Sequence, residues 1–423
     1  MRQAIVITII MIFFPVHISY MGKDALTSGT ICILLLFAAY LKQMISQGRV
    51  INDKIDAATY MLIAVGMLST FIAIRTGTID SDLNGHAVRQ LASFVTALLL
   101  FVVIKNYKQM NAHENAHEMA EKLVKLILLL VSVHVVITIM VIKFPQIENV
   151  LRIFYAKETQ SVIREYEDVE RYRSFVFSPE QYGEILAALS PFVVYKLVKD
   201  KIIIWYLVFL LFAVGLMLSV TRSGILLFMF GSIVSYYYFS KENRGLALFS
   251  IAISAVLISA TIAFNPVLLD NMTQRFRLAG EAYSSRSSIF EIANRDTMPE
   301  FWQEVISNIS LVGHSLVRVD FHNLFLTTVH QIGIIGAALF FLILLFPLMG
   351  LIRHRSRMNN PQTYLRFACL LFMLLFLVNE LKFEFTRITS YHQICWALIG
   401  VVYLVSRYKP EGGRGLCRQM GGK

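Results

Sequence analysis

The chain has 423 residues, of which 56% are hydrophobic and 16% are charged, and its mean hydropathy is +0.61. This composition excludes an ordinary water-soluble globular protein, in which about 25% of residues are charged. The formal net charge is +11, but no basic block accompanies the aromatic or zinc-ligand patterns of nucleic-acid-binding proteins, so we expect no nucleic acid partner.

Apolar stretches recur along the whole chain, and each is long enough to cross a ~30 Å hydrocarbon layer as a helix. We predict an all-α, polytopic membrane protein, because unpaired backbone groups are too costly in lipid and the apolar runs lack the alternation of barrel strands. The first stretch follows Arg2, lacks a small-residue cleavage site and precedes Lys23, which favours a retained span over a signal peptide. Twelve spans are predicted, at residues 4–21, 25–44, 57–74, 88–104, 123–142, 182–199, 202–219, 222–240, 246–264, 322–352, 363–381 and 389–406.

Basic residues flank alternate connections of this predicted bundle, which favours cytoplasmic N- and C-termini and a cytoplasmic tail at 407–423. Within a single membrane domain that covers 1–423, two long connections then lie on the outer face, at 143–181 and 265–321. Apolar residues recur at helical spacing in both connections, so we expect each to carry a short helix, the second on the membrane surface. Long ordered loops on one face often carry function, although a passive cap is the alternative.

Three polar positions are predicted at the outer membrane interface. Arg222, in the segment 221–224, separates two apolar runs, where a charge is costly unless it is paired or binds an anion; snorkelling into head groups is the alternative. Arg286 lies on the second long connection and is either an anion ligand or a solvated surface residue. His322 and Asn323 open the tenth span, where an imidazole can exchange a proton and an amide can position a sugar or phosphate, or where both residues cap a helix.

Carboxylates flank two further spans. Near the start of the sixth span, Arg173 is a candidate anion ligand, and Glu180 and Glu184 are carboxylates near the same surface. Glu380 and Glu384 lie at the end of the eleventh span. Either pair is a candidate base, or it has a structural role. We predict neither a metal nor a cofactor, because dinucleotide, P-loop and zinc motifs do not occur and the four cysteines lack metal-ligand spacing.

The order of these motifs resembles that of a known family. It runs from Arg173–Gly183 through Thr221–Gly224 and Arg286 to Gly313, His322-Asn323 and Gly333–Gly336. With its twelve predicted spans, the chain resembles the O-antigen ligase and O-antigen/exopolysaccharide polymerase superfamily of bacterial envelope glycosyltransferases. The resemblance implies a metal-independent enzyme in the bacterial cytoplasmic (inner) membrane that joins two glycans carried on undecaprenyl diphosphate. The donor, the acceptor, membrane lipid and a chain-length regulator protein are the partners it implies.

The resemblance also implies roles for the site residues. Arg222 and Arg286 would hold the diphosphate, and His322 would accept the proton of the acceptor hydroxyl or hold the diphosphate. The residues implied to bind substrate are Arg173, Asn323, Glu180 and Glu184. The segment 321–326 resembles the polymerase branch, which builds O-antigen, capsule or exopolysaccharide, more than the ligase branch.

Two alternatives remain open. An O-antigen ligase, which transfers the glycan to lipid A core, would use the same donor and the same residues. A non-enzymatic flippase or transporter of lipid-linked glycan would need polar residues at mid-span. His134 is the exception among mostly aliphatic and aromatic mid-span residues, and we interpret it as hydrogen-bonded to a neighbouring helix.

Overall fold

The computed structural model describes residues 1–20, 23–48, 50–77, 84–110, 115–151, 163–166, 169–172, 174, 176–239, 273, 303, 306–307, 309–316, 324–353, 361–380 and 389–407. The helices are α1 (Arg2–Phe13), α2 (Ser28–Ser46), α3 (Lys54–Thr76), α4 (Asn84–Lys105), α5 (Tyr107–Met110), α6 (Ala116–Lys143), α7 (Gln146–Leu151), α8 (Pro179–Asp200), α9 (Ile203–Ser219), α10 (Arg222–Phe239), α11 (Leu324–Arg353), α12 (Pro361–Glu380) and α13 (Thr389–Arg407). The strands are β1 (His17–Tyr20), β2 (Lys23–Thr27), β3 (Ile163–Tyr166) and β4 (Val169–Tyr172), which form two antiparallel hairpins.

Helices dominate the described chain, which is a membrane-embedded helical protein. Within the described residues, six helices are long and apolar enough to cross a membrane: Ser28–Ser46, Lys54–Thr76, Gly85–Lys105, Ala116–Lys143, Leu324–Arg353 and Thr363–Glu380. A helix overlaps every predicted span except 246–264, which lies outside the described residues. The short helix expected in the connection 143–181 is α7, whereas the one expected in 265–321 falls largely outside the described residues.

The first helix is shorter than predicted. The apolar run suggested one helix over 4–21, but α1 ends at Phe13 and the chain enters the β1–β2 hairpin, so that prediction is wrong at its C-terminal end. Pro15 explains the early end, because proline removes a backbone donor and disfavours a helical conformation at the residue before it, Phe14. The backbone of Phe14 is indeed non-helical, at φ −119° and ψ 67°.

Two helices that are separated by α9 run parallel and in close contact. Gly183, near the start of α8, faces Thr221 at the start of α10; Ser190 faces Gly231, and the ring centroids of Tyr195 and Phe239 are 6.0 Å apart. Small residues allow two helix backbones to approach closely, which is how helices in lipid commonly associate. The starts of α8 and α10 therefore lie at the same end of the bundle.

α12 runs antiparallel to α8. The amide Nδ2 of Asn379, near the end of α12, donates to the backbone oxygen of Glu184 over 3.5 Å, and the ring centroids of Phe372 and Phe192 are 5.4 Å apart further along. The end of α12 therefore meets the start of α8. We call this end of the bundle, where α8, α10 and α13 begin and α9 and α12 finish, the Glu184 end.

The opposite end, which we call the Lys105 end, contains a buried ionic cluster. The Nζ atom of Lys105, the last residue of α4, lies 2.5 Å from Asp56 Oδ1 and 2.9 Å from Asp53 Oδ2. Asp53 is also ion-paired to Arg407, the last residue of α13. Burial alone would raise the pKa of the Asp53 carboxyl, but Lys105, the Asp56 backbone and Arg407 together hold that pKa below its usual value.

A hydrogen-bond network extends the ionic cluster to α2. Asn106 Nδ2 donates to Asp56 over 2.9 Å and to the hydroxyl of Tyr40 over 3.1 Å. Asp53 also caps α3, because its Oδ1 accepts from the backbone nitrogens of Ile55 and Asp56. These contacts fix the relative positions of α2, α3, α4 and α13 at the Lys105 end.

The interpretation of His134 is confirmed. Its Nε2 is 2.9 Å from the backbone oxygen of Phe13 on α1, and its Nδ1 is 2.8 Å from the hydroxyl of Ser174. Gln393, near the start of α13, is another buried polar side chain, and its Nε2 donates to Thr30 and Thr96 at 3.3 and 3.1 Å. Both side chains link helices.

Candidate functional site

The start of α8 is fixed by its own sequence. Ser178 caps the helix through a capping box with Gln181, and Pro179 occupies the first turn. This start places Glu180 in the first turn, where it is half-buried, and Glu184 one turn further, where it is 1% exposed. Of the two predicted substrate-binding residues that the structure describes, Glu180 and Glu184, only Glu184 is fully buried.

The start of α10 is held against the start of α8. Val220 takes a left-handed conformation, at φ 48°, and ends α9; Thr221 Oγ1 then donates to the backbone oxygen of Pro179 over 3.1 Å. The contact requires glycine at 183, because a Cβ atom there would lie 2.6 Å from the Cβ of Thr221. Arg222 begins α10 at this place; its side chain lies outside the described residues.

A second buried carboxylate reaches the same place from α12. Glu380 is the last residue of that helix and is 1% exposed, and its neighbour Asn379 donates to the backbone of Glu184. Tyr391 and Cys395, on the first turns of α13, lie near both carboxylates. Acidic side chains buried among membrane helices are costly and usually mark functional sites, so this meeting of α8, α12 and α13 is the centre of the candidate site.

α11 is interrupted at the same end of the bundle. Gly333 has φ 69° and ψ −176°, a conformation that is essentially restricted to glycine. The break leaves the backbone oxygen of Gln331 without its partner within the helix. This oxygen accepts from Ser69 Oγ over 2.7 Å and from the backbone nitrogen of Ser315 over 3.2 Å. The sequence predicted an uninterrupted span at 322–352, so the break is a correction.

The non-helical segment 309–316 supplies the missing partners at this break. The backbone nitrogens of Ile334 and Ile335 donate to the carbonyls of Ser310 and Leu311, over 3.1 and 3.3 Å. Irregular backbone is tolerated at membrane depth only where protein or a water-filled cavity surrounds it. The segment therefore belongs to the packed structure around α11 and is not a loose connection.

Four predicted site residues, Arg173, Arg286, His322 and Asn323, lie outside the described residues. In sequence, His322 and Asn323 directly precede Leu324, where α11 begins. Of the remaining three, the structure brings Glu180, Glu184 and the helix start at Arg222 to one end of the bundle.

Three features of the site did not follow from the sequence. They are the approach of Glu380 to Glu184, the place of Tyr391, and the pairing of segment 309–316 with α11. A charged residue inside an apolar run is the signal that singles out Glu184 and Glu380. No comparable signal marks Tyr391, whose place follows only from the packing of α13.

In the part of the chain that the structure describes, no group of three or more His, Cys, Asp or Glu side chains is arranged to hold a metal ion. Comparison with protein-family models and with curated proteins gives no match to this chain.

Proposed function

We propose that the protein polymerises undecaprenyl-diphosphate-linked oligosaccharide repeat units into O-antigen, capsule or exopolysaccharide on the outer face of the bacterial cytoplasmic membrane. The observation that carries the proposal is the hydrogen bond from Thr221 to Pro179, which brings together two motifs 42 residues apart in the chain. These motifs, at the starts of α8 and α10, are two of those on which the family resemblance rests. Their meeting beside Glu184 supports a common site.

The proposed topology has twelve spans, with both termini in the cytoplasm and the Glu184 end at the outer face. The basic flanks of the short connections support this orientation, because positively charged loops remain in the cytoplasm. Lys105, Lys199 and Arg407 all lie at helix ends opposite to Glu184. A lipid-linked glycan exposed on the outer face would then meet the starts of α8 and α10.

In the proposed reaction, the growing glycan moves from its diphosphate to the terminal sugar of a new lipid-linked repeat unit. The bond from the anomeric carbon to the diphosphate oxygen breaks, a bond to the acceptor hydroxyl oxygen forms, and undecaprenyl diphosphate leaves. Arg222 and Arg286 would stabilise the growing charge of the leaving group through preorganised guanidinium donors. His322 would accept the hydroxyl proton or hold the diphosphate. Arg173, Asn323 and Glu180 would position the two glycans.

The test is complementation of a strain that lacks the gene, with the length of surface polysaccharide as the measurement. Arg222→Ala, Arg286→Ala and His322→Ala should each lower polymerisation by roughly 10²-fold or more. Arg222→Lys should also fail, because lysine keeps the charge but loses the planar fork. Arg353→Ala, at the exposed last residue of α11, is the control and should leave chain length unchanged.

Full-length polysaccharide from the three alanine variants at normal expression would refute the site. The deletion strain separates polymerase from ligase, the alternative with the same donor. Single repeats attached to lipid A indicate that a polymerase is missing, whereas long unattached chains indicate that a ligase is missing.

The break in α11 favours a second candidate, a flippase or transporter of lipid-linked glycan. Discontinuous helices are a common feature of transporter binding sites, and Gly333 interrupts α11 beside a non-helical segment. Reconstitution of the purified protein into vesicles distinguishes the two functions. Movement of glycolipid across the bilayer without new glycosidic bonds would replace the polymerase proposal.

A further inference from the structure

Two histidines meet at the break in α11. His314, in the non-helical segment, and His330, on α11, have ring centroids 5.1 Å apart with planes inclined by 35°. The backbone nitrogen of His314 donates to the backbone oxygen of His330 over 2.9 Å. Both side chains are half-buried, and the Nδ1 atom of His330 is inaccessible to solvent.

The pair is held in place by the backbone on both sides. The next residues, Ser315 and Gln331, are also hydrogen-bonded to each other, over 3.2 Å. Gly313 precedes His314 with φ 88°, and Gly333 follows His330 with φ 69°. Because these contacts fix the two backbones, neither ring depends on a flexible loop for its position, and little ordering is needed before the rings act together.

The separation of the rings matches that of two ligands on one metal ion. With Zn–N bonds of about 2.0–2.1 Å and tetrahedral angles, the centroids of two imidazoles bound to one ion lie about 5 Å apart. Neutral imidazole is a ligand suited to Zn²⁺, Ni²⁺ and Cu²⁺. We propose that His314 and His330 together bind one divalent transition-metal ion of this class.

Two imidazoles leave the other coordination positions to water. Among the residues that the structure describes, no third His, Cys, Asp or Glu side chain joins them in a metal-binding group. We therefore expect the bound ion to exchange with solution, unlike the ion of a closed structural site, which has four protein ligands. A bound ion would link segment 309–316 to α11 across the break. This inference does not depend on the proposed polymerase activity.

The experiment uses the full-length, purified protein in detergent, without a histidine tag, titrated with Zn²⁺ alone by calorimetry and with Co²⁺ alone by visible absorption. We expect one saturable site per chain and a Co²⁺ spectrum with nitrogen ligation. His314→Ala and His330→Ala should each weaken binding by at least about 10-fold, because loss of an outer-shell partner alone typically costs about 10–100-fold. His117→Ala, at the start of α6, is the matched control and should bind as the wild type does.

A second measurement guards against variants that fold poorly. Zn²⁺ should raise the thermal unfolding temperature of the wild type and of His117→Ala, because an ion that binds only the folded protein stabilises it. Zn²⁺ should not raise the unfolding temperature of His314→Ala or of His330→Asn. Absence of a saturable site in the wild type, or binding by both site variants as tight as that of the wild type, would overturn the proposal.

Discussion

A Cβ atom on Gly333 would lie 2.5 Å from the backbone nitrogen of Gly313. The two glycines therefore form one contact, in which each residue makes room for the backbone of the other. Gly333→Ala should lower the free energy of unfolding by about 3 kcal/mol or more, since it combines a backbone conformation closed to alanine with a clash against main-chain atoms. Chemical unfolding in mixed micelles measures the loss.

Gly77→Ala is the reference for a positive φ without a clash. Gly77 has φ 68° and ψ 18°, in the ordinary left-handed region, whereas Gly333 has ψ −176°, and a Cβ atom on Gly77 would have no neighbour within 4 Å. This variant should lose only about 1–2 kcal/mol, the cost of a left-handed conformation for alanine. Equal losses for Gly77→Ala and Gly333→Ala would contradict an added cost at Gly333 from its more restricted conformation and its contact with Gly313.

The junction of α8 and α10 gives a second prediction. Thr221→Val keeps the shape of the side chain but removes the hydrogen bond to Pro179, and should lower the free energy of unfolding by about 1–3 kcal/mol. Thr221→Ser, which keeps the hydroxyl, should retain most of the stability. If polymerisation depends on the relative position of the two helix starts, surface polysaccharide should shorten in the valine variant and not in the serine variant.

The buried ionic cluster gives a third prediction. Lys105→Met leaves Asp53 and Asp56 without their main partner and should cost about 3–5 kcal/mol of unfolding free energy. The double variant Lys105→Met/Asp56→Asn should be more stable than Lys105→Met, because one of the two buried charges is then removed. Lys122→Met is the control, since the ion pair of Lys122 with Glu118 is exposed to solvent and should contribute little to stability. A double variant less stable than the single one would contradict this account.

Asp53 predicts how stability changes with pH. Its folded-state pKa lies below its usual value, while the pKa of an unfolded aspartate is about 3.9. Its contribution to stability is therefore complete above about pH 4 and is lost as the pH falls through the lower folded-state pKa. Asp53→Asn, which retains a capping side chain, should reduce the difference in unfolding temperature between pH 6 and pH 3. An unchanged difference would show that another carboxylate governs the acid response.

The positions of the helices were largely predictable, whereas their contacts were not. Run length and hydropathy locate a helix such as α6, because lipid leaves the backbone few other conformations. The end of α1 depends on Pro15, a single residue that has little effect on the mean hydropathy of the surrounding window. The break at Gly333 was not predictable, since glycine is common inside uninterrupted membrane helices.

The candidate site was only partly visible in the sequence. The sequence indicated that Glu184 and Arg222 belong near one surface, but hydropathy does not reveal which helices are neighbours. The approach of α12, which brings Glu380 to α8, follows from packing alone. Lys105 is a case in which the sequence misleads. Its position after an apolar run is typical of a solvent-exposed basic residue, yet its side chain is fully buried between two aspartates.

The short first helix has a consequence for the surrounding lipid. Its 12 residues rise only about 18 Å at 1.5 Å per residue, whereas the hydrocarbon layer is about 30 Å thick. In the proposed topology α1 crosses the membrane, and local thinning of the bilayer beside α1 is one response to a span of this length. Thinning there would draw lipid head groups toward Phe13 and His134, so an amphiphile diffusing in the leaflet would travel a shorter vertical distance to the Glu184 end.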